Sequence, residues 1–309
     1  MKWNIVTDSS CDLPSAVRMG GTLKIASVPF SIQVGGHSFV DNEQLDRPAL
    51  FAALEQERGL YSVSCPTPLQ WAAEFQQADY TIALTASSKL SPSRDSALTA
   101  RELVLAGSPC KRIAVLDSYA AGPALALCVE ELETLIRRGM AFEDVVFGAR
   151  EILKKTQSTF ALASFQGLAK TGLPGRLPKF LARPLDMRGV GCLERGKVLV
   201  EWVTRGSRRA VESLVGEMKE RGFPGSKAAI AHCDAPALAE VLQERILKEW
   251  RNAEVQILSC RGLCSCYAQR GGVLLAFETW KAQLVQRRDK RPLFHWAGTQ
   301  EEKAGAATW

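Results

Sequence analysis

The chain has only three histidines in 309 residues: His37, His232 and His295. Histidine is the side chain whose ordinary titration lies nearest neutrality, so general acid–base catalysis has few candidates. None of the three has the spacing of a nucleophile's partner. His37 falls in a glycine-rich turn, His232 at the end of a strand pattern and His295 near the end of the chain. His232 suits a structural role better than that of a base. The sequence also lacks G-x-G-x-x-G after a strand and G-x-x-x-x-G-K-[ST], the backbone cradles for dinucleotides and nucleoside triphosphates. G-x-S-x-G is absent too, which speaks against an α/β-hydrolase. No apolar run approaches about 18 residues, so no stable membrane insertion is expected. The opening MKWNIVTDSSCD carries no apolar signal region. The nine cysteines are odd in number and scattered. Free thiols without an export signal predict a reducing, cytoplasmic setting.

Charge of one sign is in little excess: 39 basic against 33 acidic residues, a net +6. The densest basic stretches, RGSRR (205–209) and RRDKR (287–291), hold three or four cations each. Solvated surface accounts for them, and no nucleic acid is expected as a partner. Cys260, Cys264 and Cys266 lie together in CRGLCSC, and His232–Cys233 would have to supply further ligands for zinc. The other reading, packed small hydrophobes, needs no second pair, so no metal and no cofactor are expected.

What is present is an ordinary globular composition, 46% apolar and 23% charged, long enough for two domains of about 100–200 residues each. Short apolar runs at 3–7, 24–32, 81–85 and 113–116 read as strands. Segments at 48–57, 68–77, 93–105 and 121–138 have helical spacing. The alternation predicts an N-terminal α/β domain over 1–157, with a mostly parallel sheet and helices on both faces. Shorter strand–helix units over 158–285 predict a smaller C-terminal α/β domain with a mixed sheet, and 286–309 reads as a tail. Three N-terminal strands feed polar turns: Asp8-Ser9-Ser10, Ser87–Ser91 and Asp117-Ser118. Ligands in open α/β sheets bind beyond the carboxyl ends of strands, near helix N-termini. Ser and Asp are also preferred N-caps, so capping alone and capping with ligand binding both stand at this point.

Several stretches, in order, resemble the DegV family of bacterial fatty-acid-binding proteins. IVTDSSCDLP (5–14) looks like the family's opening strand and D-S turn. Val63 with SCPTP (64–68) looks like its T-S-x-P segment, and SSKLSPSRDSA (87–97) is similar to its S-S-x-L-S-G-[ST]-Y-x-S-A motif. VLDSYAAG (115–122) and AHCD (231–234) resemble further strand ends of the family, LAKTGL (168–173) falls where it has L-x-K-x-G-R, and MRGVGCLERGKV (187–198) followed by RGSRRA looks like its next strand pair and helix entry. GLCSCYAQRGG (262–272) resembles the closing motif of the branch with G-L-C-S-x-Y-A.

The resemblance implies a non-enzymatic carrier holding one long-chain fatty acid between two domains. The carboxylate would meet the T-S-x-P and S-S-x-L-S loops, here Val63, Ser64, Ser91 and Pro92, with Ser9 and Ser118 on the neighbouring turns. The family's partner is a separate fatty acid kinase, and Leu173, Arg176 and Ala268 fall at positions that would face it. Val63 replaces a threonine hydroxyl, Pro92 replaces a glycine and removes an N–H, and Leu173 stands where the family has arginine. These departures leave Ser91 as the main side-chain anchor. Two other functions compete: a lipid- or metabolite-sensing module without phosphotransfer, and a hydrolase or transferase using the Asp8 and Asp117 turns.

Overall fold

A computed structural model describes residues 1–14, 18–165, 167–168, 187–280 and 294–296. The first half runs β1 (Trp3–Asp8), β2 (Arg18–Gly20), β3 (Leu23–Val28), β4 (Ser31–Val34), β5 (His37–Val40), α1 (Arg47–Gln56), β6 (Ser62–Ser64), α2 (Pro68–Phe75), β7 (Tyr80–Thr85), α3 (Ser93–Gly107), β8 (Arg112–Asp117), α4 (Pro123–Arg137) and α5 (Phe142–Lys155). The second runs β9 (Thr156–Leu162), β10 (Met187–Glu194), β11 (Lys197–Arg205), α6 (Ser207–Glu220), β12 (Lys227–His232), α7 (Pro236–Glu249), β13 (Glu254–Ser259), α8 (Gly262–Ala268), β14 (Val273–Glu278) and β15 (Phe294–Trp296).

The first sheet has the order β2-β3-β1-β7-β8, parallel except for the edge strand β2. Its central strands β1 and β7 are buried on both faces, as a covered parallel sheet requires. Successive residues of β1 and β7 alternate between two cores. Ile5, Ile82 and Leu84 pack with α4 and α5, whereas Val6 and Ala83 pack with Trp71 and Phe75 of α2 and Ala97 and Ala100 of α3. The second sheet is mixed, order β13-β12-β14-β9-β10-β11-β15, with β12 and β13 its parallel pair. It is the larger sheet, seven strands against five. Helix α4 is buried almost all round from Pro123 to Val129. Ala229 of β12 and Ala276 of β14 belong to the same core as its side chains, so α4 lies between the two sheets. A helix apolar on every side needs such a place.

Three features depart from the sequence reading. The run 24–32 is two strands rather than one. It breaks at Pro29, and β4 joins a separate antiparallel sheet of order β5-β4-β6. The helix α5 and the short helix α8 have no counterpart in it. Within the 286–309 stretch, read as tail, Phe294–Trp296 pairs with β11.

The turn of the β10–β11 hairpin is Arg195-Gly196, with φ of 49° and 80°. Two positive-φ residues give a turn whose twist matches the strands it joins. Its tip docks on the first sheet, where Ser87 Oγ donates to Gly196 O at 2.8 Å. A Cβ at Gly196 would lie 2.3 Å from that hydroxyl, so only glycine allows this approach.

Candidate functional site

The polar turns after β1, β7 and β8 do converge, and Asp8 is their centre. Asp8 ends β1 and is wholly buried. Its Oδ1 accepts from Ser10 Oγ at 2.5 Å and from Ser10 N at 3.2 Å. Its Oδ2 accepts from Ser93 Oγ at 2.6 Å and from Ala86 N at 2.8 Å. One carboxyl therefore ties the β1 turn, the end of β7 and the start of α3 into one unit. Burial raises its pKa, and the four donors oppose that rise. Ser93 N in turn donates to Ser91 Oγ at 3.2 Å.

The other serines spend their hydroxyls on the backbone. Ser9 Oγ accepts from Phe30 N at 3.0 Å. Ser118 Oγ accepts from Ala120 N at 3.0 Å and donates to Ala120 O at 3.1 Å. Asp117 Oδ1 accepts from Ser88 N and Tyr119 N. These are turn-closing bonds, the capping alternative of the sequence reading.

Beyond Ser10 and Ser91 opens a cavity with about 850 Å³ of atom-free space, its mouth included. Its walls come from both sheets and from α8. Phe30, Ala86 and Leu90 lie at the serine end. Phe160 and Leu162 of β9, Leu193 of β10 and Val198 of β11 form the opposite side. Leu263, Cys264, Tyr267 and Ala268 contribute the α8 wall. Strand β9 contributes Ser158, Phe160 and Leu162 from one face, as strand periodicity requires, together with the intervening Thr159.

Of the residues expected at a head group, Ser91 alone lines this cavity. Ser10, adjacent to the expected Ser9, lines it as well. Ser64 is exposed on β6, Pro92 is exposed ahead of α3, and half-buried Val63 does not line the cavity but packs into the core cluster that supplies Phe160, Leu162, Val198 and Ala268 to its wall. Ala268, expected to face a partner, is instead fully buried in the cavity wall. Leu173 and Arg176 lie outside the described residues.

Two aspartates that the sequence reading missed hold the α8 wall in place. Asp41 is buried, and its two oxygens accept from Gly262 N and Leu263 N, both at 2.8 Å. A Cβ at Gly262 would lie 2.8 Å from Asp41 Oδ1 and 2.6 Å from Leu45 Cδ2, so the approach requires glycine. Asp12 Oδ1 accepts from Arg261 N at 2.8 Å. Asp12 Oδ2 accepts no N–H or O–H among the described residues, and the Cys264 thiol is the polar group that faces it. Burial pushes the Asp12 pKa up to about 7. Arg261 also reaches Ser27 Oγ and Asp41 O, and the single proton of Tyr61 Oη is within reach of Cys266 O at 2.7 Å and Gly167 O at 3.0 Å. Neither aspartate had a signal beyond its place in a motif, because the partners lie more than 200 residues away.

The cysteine cluster does not form a metal centre among the described residues: no group of three ligands converges. Cys264 Sγ is 3.5 Å from Ser10 O and Cys233 Sγ is 3.9 Å from Ser265 O. Burial raises the thiol pKa values of Cys260, Cys264 and Cys266 well above ordinary. His232 Nδ1 accepts from Ala235 N at the start of α7, the structural role expected of it. Among the described residues no helix is long and apolar enough to cross a membrane.

The family model described as "Uncharacterised protein, DegV family" matches residues 2–278. A DegV domain-containing protein of Streptococcus pyogenes serotype M1 is 35% identical over 279 residues, 90% of this chain and all of that protein. The crystal structure of the Streptococcus pneumoniae fatty acid kinase B3 protein loaded with linoleic acid superposes with a TM-score of 0.85 at 32% identity. It covers 90% of this chain and 99% of that one. A DegV family protein from Eubacterium eligens loaded with heptadecanoic acid gives a TM-score of 0.83 at 28% identity, with the same coverage.

Proposed function

The chain belongs to the DegV family, and on that premise we propose that it binds one long-chain fatty acid and carries it without chemistry of its own. The observation that carries this reading is the cavity: lined mostly by apolar side chains, with Ser158 and Thr159 of β9 on its wall and with Ser10 and Ser91 meeting the Asp8 cluster. Each methylene taken from water contributes about 0.8 kcal/mol, so a chain of about 16 contributes roughly 13 kcal/mol. That exceeds most of the range of about 4–15 kcal/mol lost on association. The head group then needs to supply orientation more than affinity. Two relatives whose solved structures hold linoleic and heptadecanoic acids support the choice of ligand.

The acyl group enters between an N-terminal domain, residues 1–157, and a C-terminal domain, residues 158–285. Its function is to extract, shield and present the acyl group in the cytoplasm. The presentation partner is a fatty acid kinase, a context suggested by the name of the Streptococcus pneumoniae relative. A second reading, binding without phosphotransfer, draws on one observation: Ala268 sits in the cavity wall, so that position offers a partner nothing.

Calorimetric titration of delipidated protein with oleate tests the carrier reading. One site per chain is expected, with no hydrolysis of generic acyl esters. Steady ester turnover would replace the carrier reading with an enzymatic one.

A further inference from the structure

At the polar end of the cavity, hydrogen-bond directions decide which form of an acyl head group fits. Ser10 Oγ lies 2.5 Å from Asp8 Oδ1, so its proton points at Asp8. Asp8 also receives two backbone N–H groups, which can only donate, and the Ser93 hydroxyl. Four donors satisfy an ionised carboxylate. Ser10 Oγ therefore turns lone pairs, not a proton, toward the cavity it lines. Ser91 is the converse. Its Oγ already accepts from Ser93 N, which leaves its proton to be given away. The two hydroxyls belong to one bonded unit, joined through Asp8 and Ser93.

One donor beside one acceptor complements C(=O)–OH or C(=O)–NH₂. A carboxylate needs donors only, and a buried anion without them is costly. No Lys, Arg or His lines the cavity among the described residues. At the start of α3, Ser93 N serves Ser91, Pro92 has no N–H, and the first turn carries Asp95. The charged and titratable groups around this end are Asp8 and Asp12 from the β1 turn, Cys264 and Tyr267 from α8 and Asp117 from β8. Lys89 packs its stem on Gly196, Cys65 is near enough to Asp8 to feel its charge, and Asp41 and Arg261 stand at the start of α8. Asp12 Oδ2 lies 3.0 Å from the position a Cβ would take on Gly122, between cavity residues Ala121 and Pro123.

We propose that the site recognises the un-ionised head group, with Ser91 Oγ donating to the carbonyl oxygen and Ser10 Oγ accepting the acid O–H. The proposal rests on the acyl-binding reading and extends it to a ligand class: long-chain acyl compounds with one neutral donor and one acceptor, primary amides included.

The test is competition for the delipidated protein between a long-chain acid, its primary amide and its methyl ester, from pH 6 to 8. Carboxylic acids ionise at about pH 4–5, so the acid should weaken about a hundredfold relative to the amide over this range. The amide serves as the internal control for titration of the protein itself. At pH 8 the amide should bind more tightly than the acid. Ser10→Ala should weaken the amide about tenfold and leave the ester, which has no donor, unchanged. An acid-to-amide ratio that stays constant from pH 6 to 8, or an amide tenfold weaker than the acid at pH 8, would overturn the proposal and leave acyl binding intact. Failure of all three compounds to bind would remove the acyl-binding reading itself, and this proposal with it.

Discussion

Asp12→Asn should stabilise the protein, and increasingly so as pH rises. Asp12 is buried with one oxygen that accepts no N–H or O–H among the described residues, and its pKa is pushed from 3.8 up to about 7. Between those values the folded chain holds a proton that the unfolded chain releases. Stability therefore falls as pH rises across that window, and the full cost is present above about pH 7. A rise of this size corresponds to about 4 kcal/mol in all. About 2–3 kcal/mol of it accrues between pH 5 and pH 8. Asparagine cannot ionise, yet its Oδ1 can still accept from Arg261 N. Urea unfolding of delipidated wild type and variant at pH 5, 6, 7 and 8 measures the effect. The difference between the two curves cancels every other titrating group, including Asp8 and Glu278, whose pKa values burial also raises. The variant should gain about 2 kcal/mol or more on the wild type from pH 5 to pH 8. Parallel pH profiles would show that Asp12 reaches solvent or a cation in the folded protein, and the reasoning from its burial would fail.

Other substitutions probe the cavity and its frame. Ser91→Ala should weaken acyl binding by about 1–3 kcal/mol by calorimetry, because it removes the hydroxyl left to donate; unchanged affinity would place the head group elsewhere. Phe160→Ala should cost about 3–5 kcal/mol of stability and shift competition toward bulkier acyl chains. A loss of stability with unchanged chain preference would mean that the Phe160 ring does not bound the ligand. Gly196→Ala should lower the melting temperature, since φ is 80° there and the new Cβ would lie 2.3 Å from Ser87 Oγ. An unaltered melting temperature would show that the β10–β11 tip does not dock on the serine loop.

The parallel frame was legible because its signals are local. Strands β1, β7 and β8 are short apolar runs, each ends in a hydroxyl- or acid-rich turn, and the turns after β7 and β8 lead to helices α3 and α4, whereas the chain after β1 goes on to strand β2. The boundaries of β12 and β13 coincide with the apolar runs at 227–232 and 254–259. The choice among serines was less legible. Ser9 and Ser10 are neighbours, and no periodicity continues past the end of a strand to say which faces the cavity. The register of Asp8 decides it, through a bond to Ser93 far along the chain. Asp41 was invisible for the same reason: it caps a helix that begins 221 residues later. The cysteines of CRGLCSC are close in sequence, but Cys264 and Cys266 sit two apart on α8, a spacing that does not place both on one face. Closeness along the chain therefore did not become a ligand cluster.

Native mass spectrometry of the intact protein, purified without added lipid, tests acyl carriage most directly. The account predicts a single retained ligand with the mass of a long-chain fatty acid, lost from denatured protein and restored by oleate. A ligand-free mass that does not change on exposure to oleate or palmitate would contradict it.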